Sequence, residues 1–292
     1  MEGRSRRRLS GIVMCALVAV VAAAAVSVAG ASVGPAQQQG IFALLGGTQK
    51  ITSVFWAEHK SGLTSTLNVR QFTMSANQPI LQYDVDMQKL MHLIVVRDDF
   101  ATFAHVHPTF DAKTGTFSVT FTKGPNHRYY VYADSTPHGI GQQVFRFVMQ
   151  NDGPLAMSKV SMRPSTPYAH AGPYETILPK TIVIANKPQL VYLTIVKDDD
   201  PADDLVPYLG TAAHVVFINT STLQYIHVHP MLKGQKVSGT MQSMEMGSAG
   251  KAGPFLQMML PPLPPGVYKT WVQFAGAPKA TVYTTAYTIV AQ

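Results

Sequence analysis

From about residue 50 onward, hydrophobic and polar residues alternate in short runs that are separated by turn-forming residues. No stretch places apolar residues at sustained helical spacing between capping residues. Short runs of this kind are typical of β-strands, and their close, regular spacing is typical of a β-sandwich or barrel. Representative runs are ITSVFWA, TLNVRQF, HLIVV, RYYVYAD, LVYLTIV, HVVFI and TTAYTIV. The pattern therefore predicts an all-β protein.

The breaks between these runs predict how the chain is divided. Residues 36–47 are rich in Gln and Gly, and residues 150–175 are rich in Pro, Gly and Ser, as linkers tend to be. The 292-residue length is enough for two hydrophobic cores. We predict a signal peptide or membrane anchor at 1–31, a linker at 32–49, a β-sandwich domain at 50–160, an interdomain linker at 161–173, and a second β-sandwich domain with a Met-containing loop at 174–292.

The first 31 residues predict export. Four arginines precede an apolar run that ends in Ala29-Gly30-Ala31, which is the pattern of a secretory signal peptide. The apolar run is also close to the ~20 residues that cross a bilayer, so an uncleaved anchor is the alternative. Both alternatives place the rest of the chain outside the cytoplasm, as a secreted, periplasmic or cell-envelope protein. Contact with a membrane is expected only through this segment.

Charge and cysteine content narrow the candidate functions. The four leader arginines and Glu2 contribute +3 to the formal net charge of +7, and no basic cluster remains beyond them. A nucleic-acid partner is therefore not expected. The single cysteine, Cys15, also lies in the leader, so the remaining chain has no thiolate for a blue-copper centre. Any metal site must use His, Met, carboxylate or backbone oxygen ligands.

The pattern His-x12-His-x-His-Pro occurs twice. The segments 91–108 and 213–230 are identical only at the three histidines, at the Val between the last two, and at the Pro. Retention of one histidine spacing in two otherwise different copies indicates a duplicated module in which the histidines have a function. The six histidines are His92, His105 and His107 in the first copy, and His214, His227 and His229 in the second.

The spacing makes a geometric prediction for each copy. If the first copy forms a hairpin that turns at Asp98-Asp99, then His92 lies opposite His105. Directly opposed residues have Cβ atoms roughly 4.5–5.5 Å apart. His107 is two residues beyond His105, so its side chain projects from the same face. Three imidazoles are therefore expected to converge at the open end of the hairpin.

The second copy follows the same construction, with a turn at Thr220-Ser221 and His214 opposite His227. In both hairpins the histidine face also carries apolar side chains. The alternative to a metal site is therefore a set of buried histidines that form hydrogen bonds within a core. The apolar residues on these faces are Ile94, Val96, Phe103, Val216, Ile218 and Tyr225.

Three convergent imidazoles suit zinc, copper or nickel. In an exported chain without usable cysteine but with 12 methionines after the leader, copper is the better candidate and zinc is the alternative. Thioether sulfur suits Cu(I), whereas imidazole accepts either copper oxidation state. Met231, Met244 and Met246 are candidate thioether ligands in the second domain. Methionines in loops also fill apolar gaps, which is the alternative for this group.

Four histidines remain. His59, His127 and His170 are expected at the surface. His138 is expected in a solvated loop, and an approach of His138 to the first triad is the alternative.

The two segments HLIVVRDDFATFAHVHP and YLGTAAHVVFINTSTLQYIHVHP, with the later strand WVQF, resemble exported bacterial proteins that have tandem His-x-His-Pro β-sandwich modules. The resemblance implies two tandem immunoglobulin/cupredoxin-like β-sandwich domains, and some of these proteins occur with copper-handling systems. The stretch Pro265-Gly266-Val267-Tyr268 also looks like the tyrosine corner of immunoglobulin-like sandwiches. A looser similarity to periplasmic copper carriers does not extend to their His-Met spacings.

These observations lead to two hypotheses. The first is a non-enzymatic, extracytoplasmic metal-binding protein, a copper carrier or buffer that uses one histidine triad per domain. Its partners would be the metal ion and a metal-handling protein of the cell envelope. The second is a structural or interaction module of the cell envelope with the histidines as hydrogen-bonded core groups. A metal-dependent oxidoreductase is a third option, but no catalytic motif supports it.

Overall fold

The computed structural model describes residues 52–124, 127–150, 163–234 and 252–292. Every regular element in these ranges is a β-strand, which confirms the prediction of an all-β protein. Within the same ranges there is no helix long and apolar enough to cross a membrane. The predicted leader and the first linker lie outside the described residues, as do Met244 and Met246.

The first domain contains two antiparallel sheets. Its strands are β1 (Thr52–Ser61), β2 (Thr64–Thr73), β3 (Tyr83–Asp84), β4 (Met91–Arg97), β5 (Phe103–Val106), β6 (Thr109–Asp111), β7 (Thr116–Thr122), β8 (Arg128–Pro137) and β9 (Gln143–Gln150). One sheet has the order β1-β2-β7-β6, and the other has the order β3-β8-β4-β5 with β9 also paired to β8. A core around Leu67, Leu93, Phe117 and Val131 lies between the two sheets.

The second domain repeats this arrangement. Its strands are β10 (Tyr168–Ala171), β11 (Tyr174–Ile177), β12 (Ile182–Val183), β13 (Gln189–Lys197), β14 (Asp200–Pro201), β15 (Leu205–Val206), β16 (His214–Asn219), β17 (Tyr225–Val228), β18 (Met231–Leu232), β19 (Phe255–Leu260), β20 (Gly266–Gly276) and β21 (Thr281–Ala291). One sheet has the order β10-β11-β13-β19-β18, and the other β12-β21-β20-β16-β17. Part of the segment 161–173, which was predicted to be an interdomain linker, forms a strand. Its residues Tyr168–Ala171 are β10, which pairs with β11.

β4 and β16 are each buried on both faces. All but the last residue of β4 and all of β16 are buried, which explains why their sequences read as continuous apolar runs. Alternate side chains point to opposite faces of a strand. Leu93 and Val95 therefore enter the core of the first domain, whereas Ile94 and Val96 enter a separate core.

That separate core lies between the two domains. It joins side chains from β4, β8 and β9 of the first domain to side chains from β16, β17 and β20 of the second. Its buried members are Ile94, Val96, Phe100, Tyr132, Val144, Val216, Ile218, Tyr225 and Trp271. The apolar face that each histidine hairpin carries is thus covered by the other domain.

The contacts across this interface are reciprocal. Tyr132 of β8 stacks on Tyr225 of β17, with ring centroids 5.0 Å apart. Phe103 of β5 stacks on Trp271 of β20, with ring centroids 4.9 Å apart. Tyr132 faces Ile94, and Trp271 faces Val216. Ile94 and Val216 each lie two residues beyond the first histidine of their triad, so Tyr132 and Trp271 occupy equivalent positions. The two domains therefore use the same surface to contact each other, as the halves of a two-fold symmetric dimer do.

The predicted tyrosine corner is present. The hydroxyl of Tyr268 donates a hydrogen bond to the backbone oxygen of Pro264 over 2.9 Å. In the first domain the hydroxyl of Tyr129, at the start of β8, lies 2.7 Å from the backbone nitrogen of Gly124 and accepts from it. The corner ties the start of β20, which carries Trp271 of the interface, to the loop before it.

Replacing Tyr268 by Phe tests the corner. Because the side chain is fully buried and its hydroxyl bonds to Pro264, we expect Tyr268→Phe to lower the free energy of unfolding by about 1 kcal/mol. Urea denaturation of Tyr268→Phe and of the exposed control Tyr192→Phe measures the difference. Equal stability of the two variants would contradict the role of the hydrogen bond.

Candidate metal centre

The first histidine hairpin has a longer loop than the spacing suggested. β4 and β5 pair in a register in which Ile94 faces His105, so the predicted pairing of His92 with His105 is wrong by two residues. Arg97 and Thr102 close a loop over residues 98–101, in which Phe100 has a φ of 59°. A carboxylate oxygen of Asp99 accepts a hydrogen bond from the backbone nitrogen of Ala101 and holds this loop.

The second hairpin differs from its prediction in the same way. Val216 faces His227, so His214 is not directly opposite His227. Asn219 and Gln224 close the loop, and the Asn219 side chain accepts hydrogen bonds from the backbone nitrogens of Ser221 and Thr222. A register shift of two residues leaves every side chain on the same face. The three histidines of each hairpin therefore converge as expected, although the predicted pairs do not face each other.

The first triad brings three ring nitrogens together. His92 Nδ1 lies 2.9 Å from His105 Nε2, and His107 Nε2 lies 3.2 Å from the same His105 atom. His92 and His105 are buried, and His107 is partly buried. Each residue offers one ligand atom, and these atoms lie within 4.8 Å of one another. Three imidazoles arranged in this way can bind one transition-metal ion.

The second triad repeats the geometry. His214 Nδ1 lies 3.1 Å from His227 Nε2, and the His229 ring centroid lies 4.8 Å and 4.5 Å from those of His214 and His227. The Nε2 atom of His229 is buried and has no hydrogen-bond partner among the described residues. A buried ring nitrogen without a partner is costly unless a ligand occupies the site. This atom therefore fits a triad that holds a metal ion.

Hydrogen bonds to the outer nitrogens of His92 and His105 define the tautomers of these two rings. His92 Nε2 donates to the backbone oxygen of Asp86 over 3.0 Å, which leaves a lone pair on Nδ1. His105 Nδ1 donates to the side-chain oxygen of Gln273 over 2.8 Å, which leaves a lone pair on Nε2. These two lone pairs face each other across 2.9 Å. In the neutral protein neither ring has a proton to place between them, whereas a cation between them would be bound by both.

Burial keeps the histidines neutral. Desolvation lowers the pKa of His92 to about 4, and that of His107 and His229 to about 3. The pKa values of His105, His214 and His227 fall well below their usual range because these rings are desolvated and because the neighbouring histidines would repel a further charge. At neutral pH each of the six rings is therefore an uncharged imidazole, with one N–H group and one nitrogen that has a lone pair.

The two triads meet at the domain interface. The ring of His92 lies 5.9 Å from that of His214 and 5.4 Å from that of His227. The ring of His105 lies 5.3 Å from His214 and 5.5 Å from His227. Within one triad the ring centroids are 4.5 to 5.3 Å apart. The six histidines thus form one continuous group, which a sequence-based assignment of one triad to each domain did not predict.

Two further residues support the histidines of the opposite domain. Gln273 of β20 accepts the hydrogen bond from His105, and it also donates to Thr284 over 3.0 Å. Asp134 of β8 lies 3.7 Å from His227 Nδ1. Gln273 and Asp134 are equivalent, because they face His214 and His92 on the neighbouring strands. Neither residue was predicted from the sequence, although each is a polar residue in an apolar run, RYYVYAD or WVQF, which was a usable signal.

Asp134 is the buried acidic group of this region. Its carboxylate accepts hydrogen bonds from Gln142 over 2.7 Å and from the Tyr225 hydroxyl over 3.2 Å. Desolvation, followed by the nearby charge of Asp86, raises the pKa of Asp134 to about 7. Desolvation also raises the pKa of Asp86 to about 6. Both carboxyl groups belong to the first domain, so the surroundings of the histidines are electrically unequal in the two halves.

The other predicted residues lie elsewhere. Met231 is buried at the start of β18, which pairs with β19 in the sheet that does not carry the hairpin, and its role as a ligand stays a prediction. Met244 and Met246 lie outside the described residues. His59 and His170 are exposed as expected, and the exposed His138 pairs with Asp84.

His127 differs from its expected surface position. It is buried and lies 2.9 Å from a carboxylate oxygen of Asp98. With Asp98 and Asp99 it forms a third group of potential metal ligands. However, the Asp99 carboxylate accepts two hydrogen bonds from Arg97, and the Asp98 carboxylate lies 3.6 Å from Arg128. Because cations of the protein already neutralise both carboxylates, this group is an ion-pair cluster that stabilises the loop of the first hairpin.

Sequence comparison assigns the chain to a family. The model of the family described as "Domain of unknown function (DUF8832)" matches residues 52–152 and 169–292. The chain belongs to this family. The two matched segments coincide with the two sandwich domains, which agrees with the internal repeat. No curated protein matches the chain.

The buried histidines predict how stability depends on pH in the metal-free protein. The folded-state pKa values are lowered, so below about pH 6.5 the unfolded chain binds more protons than the folded chain. We expect the free energy of unfolding to fall as the pH falls from about 6.5 towards 4, by about 1.4 kcal/mol per pH unit for each histidine. The raised pKa values of Asp134 and Asp86 have the opposite effect, so these two groups offset up to about two of the six histidines over part of this range.

Urea denaturation of chelator-treated protein at pH 7, 6 and 5 measures this dependence. His227→Gln is expected to reduce the slope, whereas the exposed control His59→Ala is expected to leave it unchanged. A flat profile between pH 7 and pH 5 would contradict the neutral state of the buried rings.

Proposed function

We propose that this chain is an extracytoplasmic metal-binding protein that holds transition-metal ions in its two histidine triads. The observation that carries the proposal is the pair of lone pairs on His92 Nδ1 and His105 Nε2, which face each other across 2.9 Å in a buried site. In the second triad His214 Nε2 donates to the backbone oxygen of Tyr208, which leaves a lone pair on His214 Nδ1, 3.1 Å from His227 Nε2. The contact between the two lone pairs of His92 and His105 is unfavourable without a cation and favourable with one.

The ligand set supports copper as the ion, with zinc as the alternative. Neutral imidazole nitrogens are poor ligands for Ca²⁺ or Mg²⁺, which prefer oxygen. Each triad supplies three nitrogens and leaves a further coordination position, which suits Cu(I), Cu(II) and Zn(II). Copper is favoured by the methionine content of the exported part of the chain. If Met231, Met244 or Met246 contributes a thioether ligand, the affinity for Cu(I) would increase more than that for Cu(II) or Zn(II).

A carrier or buffer role fits the way the triads are buried. His92, His105, His214 and His227 are buried, whereas His107 and His229 are partly exposed. An ion would therefore reach each triad from the end where its third histidine lies, next to Pro108 or Pro230. A metal-handling protein of the cell envelope is the partner proposed for exchange at this end. Export is supported by the arginines and the apolar run at the start of the chain.

A structural role for the histidines is the second candidate. It is favoured by the apolar core around them and by the hydrogen bonds that tie His105 to Gln273 and His92 to the backbone of Asp86. In this case the histidines would join the two domains without any ion. The two candidates differ in what metal does to the protein, because a purely structural cluster gains no stability from added ions.

Metal titration of the protein without its leader tests the proposal. We expect Cu(I), Cu(II) or Zn(II) to bind and to raise the melting temperature, because an ion that binds only the folded state stabilises it. A ligand at 100 times its Kd contributes about 2.7 kcal/mol. Native mass spectrometry gives the identity and number of ions, and thermal denaturation gives the stabilisation.

A matched pair of variants controls this experiment. His92→Gln with His214→Gln removes one ligand from each triad, and His59→Ala with His170→Ala removes two exposed histidines. The first pair is expected to lose at least tenfold in affinity, and the second to bind as the unchanged protein does. If the unchanged protein bound no ion, or if the exposed pair lost binding equally, the triads would not be the site.

Asp134 offers a separate test of the second triad. A carboxylate near the outer nitrogen of a ligating histidine raises the basicity of that ligand, and its loss typically costs 10- to 100-fold in affinity. We expect Asp134→Asn to weaken binding to the second triad by this factor, measured by competition with a chelator in a His92→Gln background. Asp84→Asn, which changes an exposed carboxylate, serves as the control. An affinity that Asp134→Asn leaves unchanged would exclude a role for this carboxylate.

A further inference from the structure

The six histidines lie closer together than two independent sites require. The shortest ring-to-ring distance between triads, 5.3 Å from His105 to His214, equals the distance from His214 to His227 within one triad. His214 is thus as near to His105 of the first domain as it is to His227 of its own triad. Two ions bound by these rings would have no protein layer between them.

The supporting hydrogen bonds cross the same boundary. His105 depends on Gln273 of the second domain for its tautomer, and His227 faces Asp134 of the first domain. The Tyr225 hydroxyl of the second domain bonds to that same Asp134 carboxylate. Neither triad therefore has its full surroundings within one domain.

We propose that the two triads form a single dinuclear centre, in which two transition-metal ions lie side by side across the domain interface. This inference rests on the proposed metal-binding function and adds that the two ions interact. The first triad provides His92, His105 and His107 to one ion, and the second provides His214, His227 and His229 to the other.

The dinuclear arrangement has a consequence for the order of binding. All six ligands are neutral, and the charged groups near them include the carboxyl groups of Asp86 and Asp134 and the ammonium group of Lys89, which acts on His92 and His107. The second ion therefore meets the repulsion of the first. It binds more weakly than it would to its triad alone, unless an anion from solvent bridges the two.

Electron paramagnetic resonance of the Cu(II)-loaded protein tests the proposal. One equivalent of Cu(II) is expected to give the spectrum of a single isolated ion. A second equivalent is expected to broaden or cancel this spectrum, so that the signal integrates to clearly less than two spins while mass spectrometry counts two ions. One equivalent each of Cu(II) and Zn(II) should restore an unbroadened single-ion spectrum, because Zn(II) carries no unpaired electron.

Variants with one intact triad provide the matched comparison. His227→Gln with His229→Gln keeps the first triad, and His105→Gln with His107→Gln keeps the second. Each is expected to bind one Cu(II) with a full one-spin signal. The second ion of the unchanged protein is expected to bind at least tenfold more weakly than the single ion of the weaker variant. Circular dichroism confirms that each variant is folded, and the Cu/Zn comparison needs no variant at all.

The outcomes separate the inference from the proposed function. Two bound ions with two full, unbroadened spins would overturn the dinuclear centre and leave two independent metal sites. One bound ion in the unchanged protein would also overturn it and indicate a site that the triads share. Binding of neither copper nor zinc would remove the metal-binding function itself.

Discussion

The packing of the two histidine hairpins against each other is the contact on which the site depends. Each hairpin presents a face of β-branched and aromatic residues with histidines at one end, and the equivalent face of the other domain covers it. Burial by this contact desolvates the imidazoles and lowers their pKa values. The same contact brings Gln273 and Asp134 to the outer nitrogens of His105 and His227. The neutral rings, their tautomers and their proximity all have this one cause.

Much of the fold was predictable from local pattern. Alternation and turn residues identified strands, and the Pro-Gly-x-Tyr stretch identified the tyrosine corner that Tyr268 forms with Pro264. The convergence of each triad was also predictable, because side chains two residues apart share a face of a strand. The hairpin register was not, because it depends on the four-residue loops that the side chains of Asp99 and Asn219 hold. Those side chains act through backbone hydrogen bonds that spacing does not reveal.

The meeting of the triads could not be predicted from the sequence. The apolar face that carries Ile94 and Val96 was visible, but a sequence does not distinguish a face that enters its own core from one that packs on another domain. Asp134 and Gln273 were missed for the same reason. They lie on neighbouring strands of their own domains, yet they act on histidines that are far away in sequence. Only the interface relates them.

The reciprocal contacts of Tyr132 with Tyr225 and of Phe103 with Trp271 have a further consequence. A surface that recognises its own repeat would also recognise a second copy of itself, so one module alone could assemble as a symmetric homodimer with six histidines at its centre. The tandem chain resembles such a dimer after covalent fusion, in which the linker holds the partner at high effective concentration. Fusion also allows the two halves to diverge. Asp134 and Gln273 occupy equivalent positions, but one is a carboxylate and the other an amide, a difference that a strictly symmetric homodimer cannot have.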